Sequence, residues 1–193
     1  MSIFSKLSIF ILLFLVSCGT QETQVYSTYT NHEFGFVVTI PDDLERAGWG
    51  IVNAEDATVF HVFTPPDTST WEAIAVVVPP GALFPSLSPF FIDVFNVKDP
   101  TLSSVALADK KAARVGDRVL SRKILTADGR QLAQLVHGAG DDVNYETYVV
   151  GNGFGYAFLA QGAPDTSQTA VSFRVDSDAY DRIIVSLKLT TPR

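Results

Sequence analysis

Residues 115–162 decide the fold, and they read VGDRVLSRKILTADGRQLAQLVHGAGDDVNYETYVVGNGFGYAFLAQG. Asp128-Gly129 and Asn152-Gly153 each stand between two runs that are rich in β-branched and aromatic residues. Both residues of such a turn tolerate positive φ, so the pattern is a strong signal of a β-hairpin. The four runs therefore predict a four-stranded antiparallel meander. They cover residues 119–126, 131–137, 143–150 and 154–160.

Helical periodicity replaces strand alternation after the meander. We predict a closing amphipathic helix over residues 177–189, with Ser177 as its N-cap. Its apolar side chains recur at the spacing of one helical face, and they are Tyr180, Ile183, Ile184 and Leu187. A second helix is predicted upstream of the meander, over residues 102–113, where alanine, leucine and lysine predominate.

The N-terminal half contains three further β-rich runs. They cover residues 34–40, 58–63 and 73–78, and each is closed by proline. Links this short cannot carry a parallel crossover, so we predict antiparallel pairing. Residues 42–50 predict a polar loop. Together with the meander and the two helices, these runs indicate an α+β fold on an antiparallel sheet.

A phenylalanine-rich segment broken by prolines covers residues 81–100. Ser88 is a candidate cap for a short helix that begins at Pro89, and prolines disfavour a strand through the centre of a sheet. We therefore predict that part of the segment is exposed as an apolar contact surface. Its residues are Phe84, Phe90, Phe91 and Phe95. The alternative is that these rings pack beneath the sheet, as most phenylalanines do.

Two stretches at opposite ends of the chain resemble the PsbP-like family. The first is FGFVVTIP at residues 34–41, and the second is YDRIIVSLK at residues 180–188. The resemblance implies an α-β-α sandwich with a central antiparallel sheet and a C-terminal amphipathic helix. It implies no active site, because both motifs are structural and a fold does not carry a function with it. The proline-broken middle departs from the family pattern.

The N-terminus resembles the signal peptide of bacterial lipoproteins. An apolar run follows Lys6, and Leu15-Val16-Ser17-Cys18 matches a lipobox. The resemblance implies cleavage after Ser17 and acyl chains on Cys18, and two or three chains anchor a protein firmly. Gly19 resembles the sorting signal for the outer membrane in Gram-negative bacteria. We expect residues 1–17 to be a signal peptide, residues 18–30 a tether, and residues 31–193 a single PsbP-like domain.

Charge and composition exclude several classes of function. The chain has 14 basic and 21 acidic residues and a formal net charge of −7, which argues against nucleic-acid binding. Cys18 is the one cysteine, so its acylation leaves no thiol for a disulfide or a thiolate site. No Gly-x-Ser-x-Gly elbow is present. The polar stretch over residues 137–142 predicts a hairpin loop in preference to a metal site, so we expect no catalytic, cofactor or metal residues.

These inferences favour a membrane-anchored envelope lipoprotein that works as a non-catalytic binding or accessory module. The expected contacts are the membrane, through lipid on Cys18, and either a protein partner or a small apolar ligand. In a Gram-negative source the protein would face the periplasm from the outer membrane. The alternative is an envelope hydrolase whose carboxylates the spacing does not identify.

Overall fold

The computed structural model describes residues 24–56, 71–80, 90–139, 142–162 and 175–193. The strands within these ranges are Thr28–Asn31 (β1), Phe36–Thr39 (β2), Gly50–Asn53 (β3), Trp71–Val78 (β4), Phe90–Asn96 (β5), Val119–Ala127 (β6), Arg130–Ala139 (β7), Asp142–Gly151 (β8), Phe154–Gly162 (β9) and Lys188–Leu189 (β10). The α-helices are Asp42–Arg46 (α1), Ser104–Val115 (α2) and Ser177–Ile184 (α3). The fold is α+β with a large antiparallel sheet, as the sequence predicts. In these ranges, no helix is both long enough and apolar enough to span a membrane.

The predicted meander is confirmed. Strands β6, β7, β8 and β9 are consecutive antiparallel neighbours. The residues of both predicted turns have positive φ, at 48° for Asp128, 71° for Gly129, 57° for Asn152 and 82° for Gly153. The local turn chemistry therefore sets the register of both hairpins, as expected from primed turns.

The large sheet has seven strands in the order β3-β4-β5-β9-β8-β7-β6. The prediction of a short helix beginning at Pro89 is wrong, because Phe90–Asn96 forms strand β5 between β4 and β9. The prolines lie outside this strand, at positions 89 and 100, and the sequence FFIDVFN between them contains no breaker. Its nearly continuous apolar run is typical of a strand that is buried on both faces.

Strand β2, which lies in the predicted run over residues 34–40, belongs to a separate, smaller sheet. Strand β2 lies between β1 and β10, so the start of the domain pairs with its end. The predicted run at 34–40 is thus a strand, but its observed partners are not the run at 73–78. The predicted tether is too long, since β1 begins at Thr28 and Tyr26 already bridges Ile51. The predicted strand at 58–63, the signal peptide and Cys18 lie outside the described residues.

Both predicted helices are present with altered ends. Helix α2 is capped by Ser103, whose hydroxyl accepts from the Ala106 N–H. Helix α3 begins after Asp176, so the expected Ser177 cap is wrong: the Asp176 carboxylate accepts from the Ala179 N–H. It ends at Ile184, because the chain then turns into β10. The predicted loop at 42–50 contains the short helix α1.

The helices cover opposite faces of the large sheet, which gives the α-β-α layering that the resemblance implies. Helix α3 and the small sheet cover one face, where Tyr180 and Ile183 are fully buried among the side chains of β5 and β9. Helix α2 covers the other face over β7 and β8, where Leu107 packs with Tyr148. The core is therefore split into two layers by the sheet.

Candidate functional site

The predicted phenylalanine contact surface is wrong for the residues that can be described. Phe90, Phe91 and Phe95 are 0%, 5% and 3% exposed. Successive side chains of a strand point to opposite faces, so Phe90 enters the layer under α3 while Phe95 enters the layer under α2. The Phe95 ring lies against Gly155, where a Cβ atom would collide with it. Phe84 lies outside the described residues.

A buried polar cluster lies between α2 and the sheet. Glu146 on β8 is fully buried, and its Oε1 lies 2.8 Å from Lys111 Nζ and 2.8 Å from His137 Nε2. The Tyr148 hydroxyl donates to Oε2 of the same carboxylate. Lys111 comes from α2 and His137 from β7, so three elements meet at one carboxylate. Its two oxygens are both occupied by protein donors.

The electrostatics of this cluster favour an ionised carboxylate. Burial alone raises the pKa of Glu146, but the hydrogen bond from His137 and the charge of Lys111 outweigh it and hold the pKa below its usual value. Burial and the neighbouring Glu146 charge raise the pKa of the Tyr148 phenol well above its usual range. The cluster is a compensated ion pair within a low-dielectric layer, and such groups are costly to break.

Sequence reasoning missed this cluster, although the sequence contains a signal for it. Lys111 follows Leu107 by four residues and precedes Val115 by four, so it interrupts the apolar face of α2. A lysine at such a position needs a buried partner.

Glu146 lies among the aromatic and β-branched residues of β8. It is two positions before Tyr148, which packs under α2, so both side chains point to the α2 face of the sheet. His137 ends the predicted strand over residues 131–137 and begins the predicted loop over residues 137–142. The structure confirms the strand, because His137 is buried on β7, which continues to Ala139.

Asp93 is the second buried carboxyl on the α2 face of the sheet. It lies on β5 between Phe91 and Phe95, opposite Ala157 of β9, and is 1% exposed. Burial raises its pKa to about 7. A carboxyl group with this pKa exchanges its proton near neutral pH, which is a property of many acid–base residues.

A separate polar network lies on the opposite face, under α3. The Tyr180 hydroxyl donates to the Phe158 carbonyl over 2.7 Å and lies 2.9 Å from Thr147 Oγ1. The Gln134 amide donates to Asp181 over 2.8 Å. These bonds tie α3 to three strands of the sheet, so their role is to position the helix.

Of the three histidines, only His137 has a described polar side-chain partner. His32 contributes its backbone carbonyl to the Arg193 N–H, and His61 lies outside the described residues. Among the residues that the structure describes, no three His, Cys, Asp or Glu side chains are grouped so that they could hold a metal ion.

Strand β6 forms one edge of the large sheet and is mostly exposed. Its partner is β7, and no described strand pairs with its other side. Leu120 and Ile124 are 60% and 51% exposed, in contrast to the buried interior of β7. Arg122 bonds to Asp109 of α2 over 2.7 Å, and Lys123 bonds to Asp181 of α3. The edge therefore combines exposed apolar side chains with basic ones on both faces.

No family model matches the chain, and no curated protein matches it. Among solved structures, the chain is similar to cyanobacterial PsbP (CyanoP) from Synechocystis sp. PCC 6803, determined in solution. The identity is 14%, the TM-score is 0.48, and the match covers 91% of this chain and 98% of that one. No residue role follows from a likeness at this level.

Proposed function

We propose that this protein is a lipid-anchored envelope protein whose domain is a non-catalytic binding or accessory module. The observation that supports the non-catalytic part is the state of Glu146. Among the described residues it is the carboxylate with the largest set of acid–base neighbours, yet it is fully buried and both its oxygens are bonded. A general acid or base must reach the substrate, whereas this group holds α2 on the sheet.

The anchoring part of the proposal is supported by the lipobox that ends at Cys18. Acyl chains on Cys18 would hold the protein on the membrane, and Tyr26, only a short stretch of chain further on, already bridges Ile51 of β3. The domain would then stand close to the bilayer surface. In a Gram-negative source its place would be the periplasmic face of the outer membrane.

Metabolic labelling with a clickable fatty acid, followed by membrane fractionation, tests the anchor. Wild type is expected to be labelled and membrane-bound, and Cys18→Ser is expected to be unlabelled and released with the same circular dichroism spectrum. Gly19→Asp is the matched control, because it changes the sorting residue while it keeps the acylated cysteine. A labelled Cys18→Ser protein, or an unlabelled wild type, would contradict the proposal.

A second candidate function, that of an envelope hydrolase, is favoured by Asp93. Its pKa of about 7 would suit a general acid. At 1% exposure Asp93 is as deeply buried as Glu146, so it could act on a substrate only after the side chains that cover it have moved. Purified wild type and Asp93→Asn would be assayed against ester, amide and glycoside substrates, with Glu146→Gln as a comparison. Turnover that disappears in Asp93→Asn while the fold is kept would establish the enzyme and overturn the non-catalytic proposal.

A further inference from the structure

We propose that the outer edge of β6, with which no described strand pairs, is a docking strand, and that its occupant is an extended acidic segment of a partner protein. This inference rests on the proposed binding function and names the surface and the chemistry of the partner. The mode is strand addition, in which the backbone of the partner pairs with a sheet edge and alternate side chains give specificity.

The two edges of the large sheet differ in whether a described segment forms backbone hydrogen bonds with them. At the β3 edge, the chain covers itself: the Tyr26 N–H donates to the Ile51 carbonyl, and the Ile51 N–H donates to the Tyr26 carbonyl, both over 2.8 Å. At the β6 edge, no described segment makes such bonds. An edge strand presents a row of outward N–H and C=O groups that can pair with another chain.

The β6 edge also lies far from the N-terminal segment that leads to the expected membrane anchor. Six strand spacings separate β3 from β6, which is about 29 Å at roughly 4.8 Å each. The chain enters the domain from its N-terminal segment at the β3 edge, where Tyr26 bridges Ile51. The β6 edge is therefore at the far side of the sheet from the segment that leads to Cys18, and a membrane anchor there would leave it accessible.

The side chains of β6 specify the charge of the partner. Residues 118–127 contain Arg118, Arg122 and Lys123 and no acidic residue, on a chain with a net charge of −7. Arg122 lies on the α2 face and Lys123 on the α3 face, since they bond to Asp109 and Asp181 respectively. An incoming strand thus meets a positive charge on each face, and opposite charges directly across a sheet are favourable.

The same geometry predicts the order of residues in the partner. In antiparallel pairing, the residue opposite Ile124 is followed by those opposite Lys123 and Arg122. An apolar residue followed by two acidic residues would therefore match the edge. Both existing ion pairs are open to solvent in part, because the side chains of Arg122 and Asp109 are 53% and 57% exposed and those of Lys123 and Asp181 are 44% and 27% exposed. Exposed pairs contribute little and exchange partners readily.

A second copy of this chain fits the edge poorly. Two β6 strands paired about a twofold axis near Arg122 would bring basic residues of one copy against those of the other, and such like-charge pairs are destabilising. The register shift between Val119 and Ser121 further interrupts regular pairing. Lysines and bulges are devices that protect sheet edges from self-association. The basic side chains and the register shift disfavour self-association, but they still allow an acidic strand to pair with β6.

The test uses the protein as its host produces it, kept in detergent micelles, and a short labelled peptide of alternating valine and threonine with a central Val-Glu-Glu. Fluorescence anisotropy measures binding, and a peptide with lysines in place of the glutamates is the ligand control. Arg122→Glu with Lys123→Glu is expected to weaken binding about tenfold, because two favourable cross-strand pairs become unfavourable. Lys98→Glu with Lys188→Glu changes the net charge equally at exposed positions away from β6 and should bind like wild type.

Amide hydrogen exchange locates the site. The free protein should exchange alternate amides of residues 120–126 rapidly, and the peptide should slow them while the β3 amides stay unchanged. Slow exchange of all β6 amides in the free protein, equal binding of the lysine peptide, or no binding at all would each overturn the docking proposal. None of these outcomes touches the anchor experiment on Cys18, so the two proposals fail separately.

Discussion

The hydroxyl of Ser186 joins the two ends of the domain. It accepts a hydrogen bond from the Thr39 N–H over 2.9 Å and donates one to the Ile183 carbonyl over 2.7 Å. Thr39 ends the strand of the first motif, and Ser186 follows α3 in the second motif, 147 residues later. One side chain thus satisfies a strand N–H and a carbonyl at the end of a helix. The two sequence motifs therefore form a single contact.

Ser186→Ala should lower the free energy of unfolding by about 1–2 kcal/mol, because it removes two hydrogen bonds and leaves a partly buried N–H unpaired. Urea titration followed by circular dichroism would measure the change. Ser177→Ala is the control, since Asp176 and not Ser177 caps α3, and it should change stability by less than about 0.5 kcal/mol. Equal effects of the two substitutions would show that the Ser186 contact is unimportant.

Leu187→Ala should cost about 2–5 kcal/mol, the usual range for truncation of a buried leucine. The side chain is buried with Ile183 in the layer between α3 and the sheet. Val185 lies between them in sequence and is exposed, so Val185→Ala should change the melting temperature little. A thermal melt of Leu187→Ala that matches wild type would mean that this layer is wrongly placed.

Glu146→Gln should destabilise the fold by about 3–5 kcal/mol, because it leaves the Lys111 charge buried without its partner. The double variant Glu146→Leu with Lys111→Met removes both charges and should recover part of that loss. The folded-state pKa of Glu146 is lowered, so its contribution is complete above the unfolded pKa and is lost as pH falls through the folded pKa. The free energy of unfolding of Glu146→Gln should therefore fall less steeply than that of wild type as the pH is lowered. An equally steep fall in both proteins would contradict a stabilising role of the Glu146 charge.

Asp93→Asn should have the opposite pH dependence. The pKa of Asp93 is raised to about 7 by burial, so between about pH 4 and pH 7 the folded state keeps a proton that the unfolded state releases. Wild-type stability therefore falls as pH rises through this window. The stability of Asp93→Asn relative to wild type should grow across it by up to about 4 kcal/mol.

Denaturation at a series of pH values would measure this difference for Asp93→Asn. Asp117→Asn removes an exposed carboxyl and is the matched control. A difference between Asp93→Asn and wild type that stays constant from pH 4 to pH 8 would show that Asp93 keeps its charge in the folded protein.

The predictions of the turns and of the α3 face, which depend on residues close together in sequence, are confirmed, and the prediction that depended on long-range strand pairing is wrong. The turns at Asp128-Gly129 and Asn152-Gly153 could be predicted because positive φ is a property of those few residues. The α3 face could be predicted because its period is local. The course of residues 90–96 was predicted wrongly, since flanking prolines at 89 and 100 were taken to break the whole segment. Pairing of β5 with β9, more than fifty residues later in the chain, decided its place in the sheet.

The amino-acid sequence alone determined the meander, the two longer helices and their apolar faces, because each depends on residues within a few positions of one another. The resemblance of the stretch that ends at Cys18 to a lipobox stays a prediction. Only the tertiary structure decided which residues of different helices and strands lie in contact. It brought Lys111, His137 and Glu146 together, buried Asp93 between phenylalanines, and left β6 at an edge of the sheet. The physical reason is that burial and pairing depend on strand order, and strand order is set by the packing of the whole sheet between its two helical layers rather than by any local pattern.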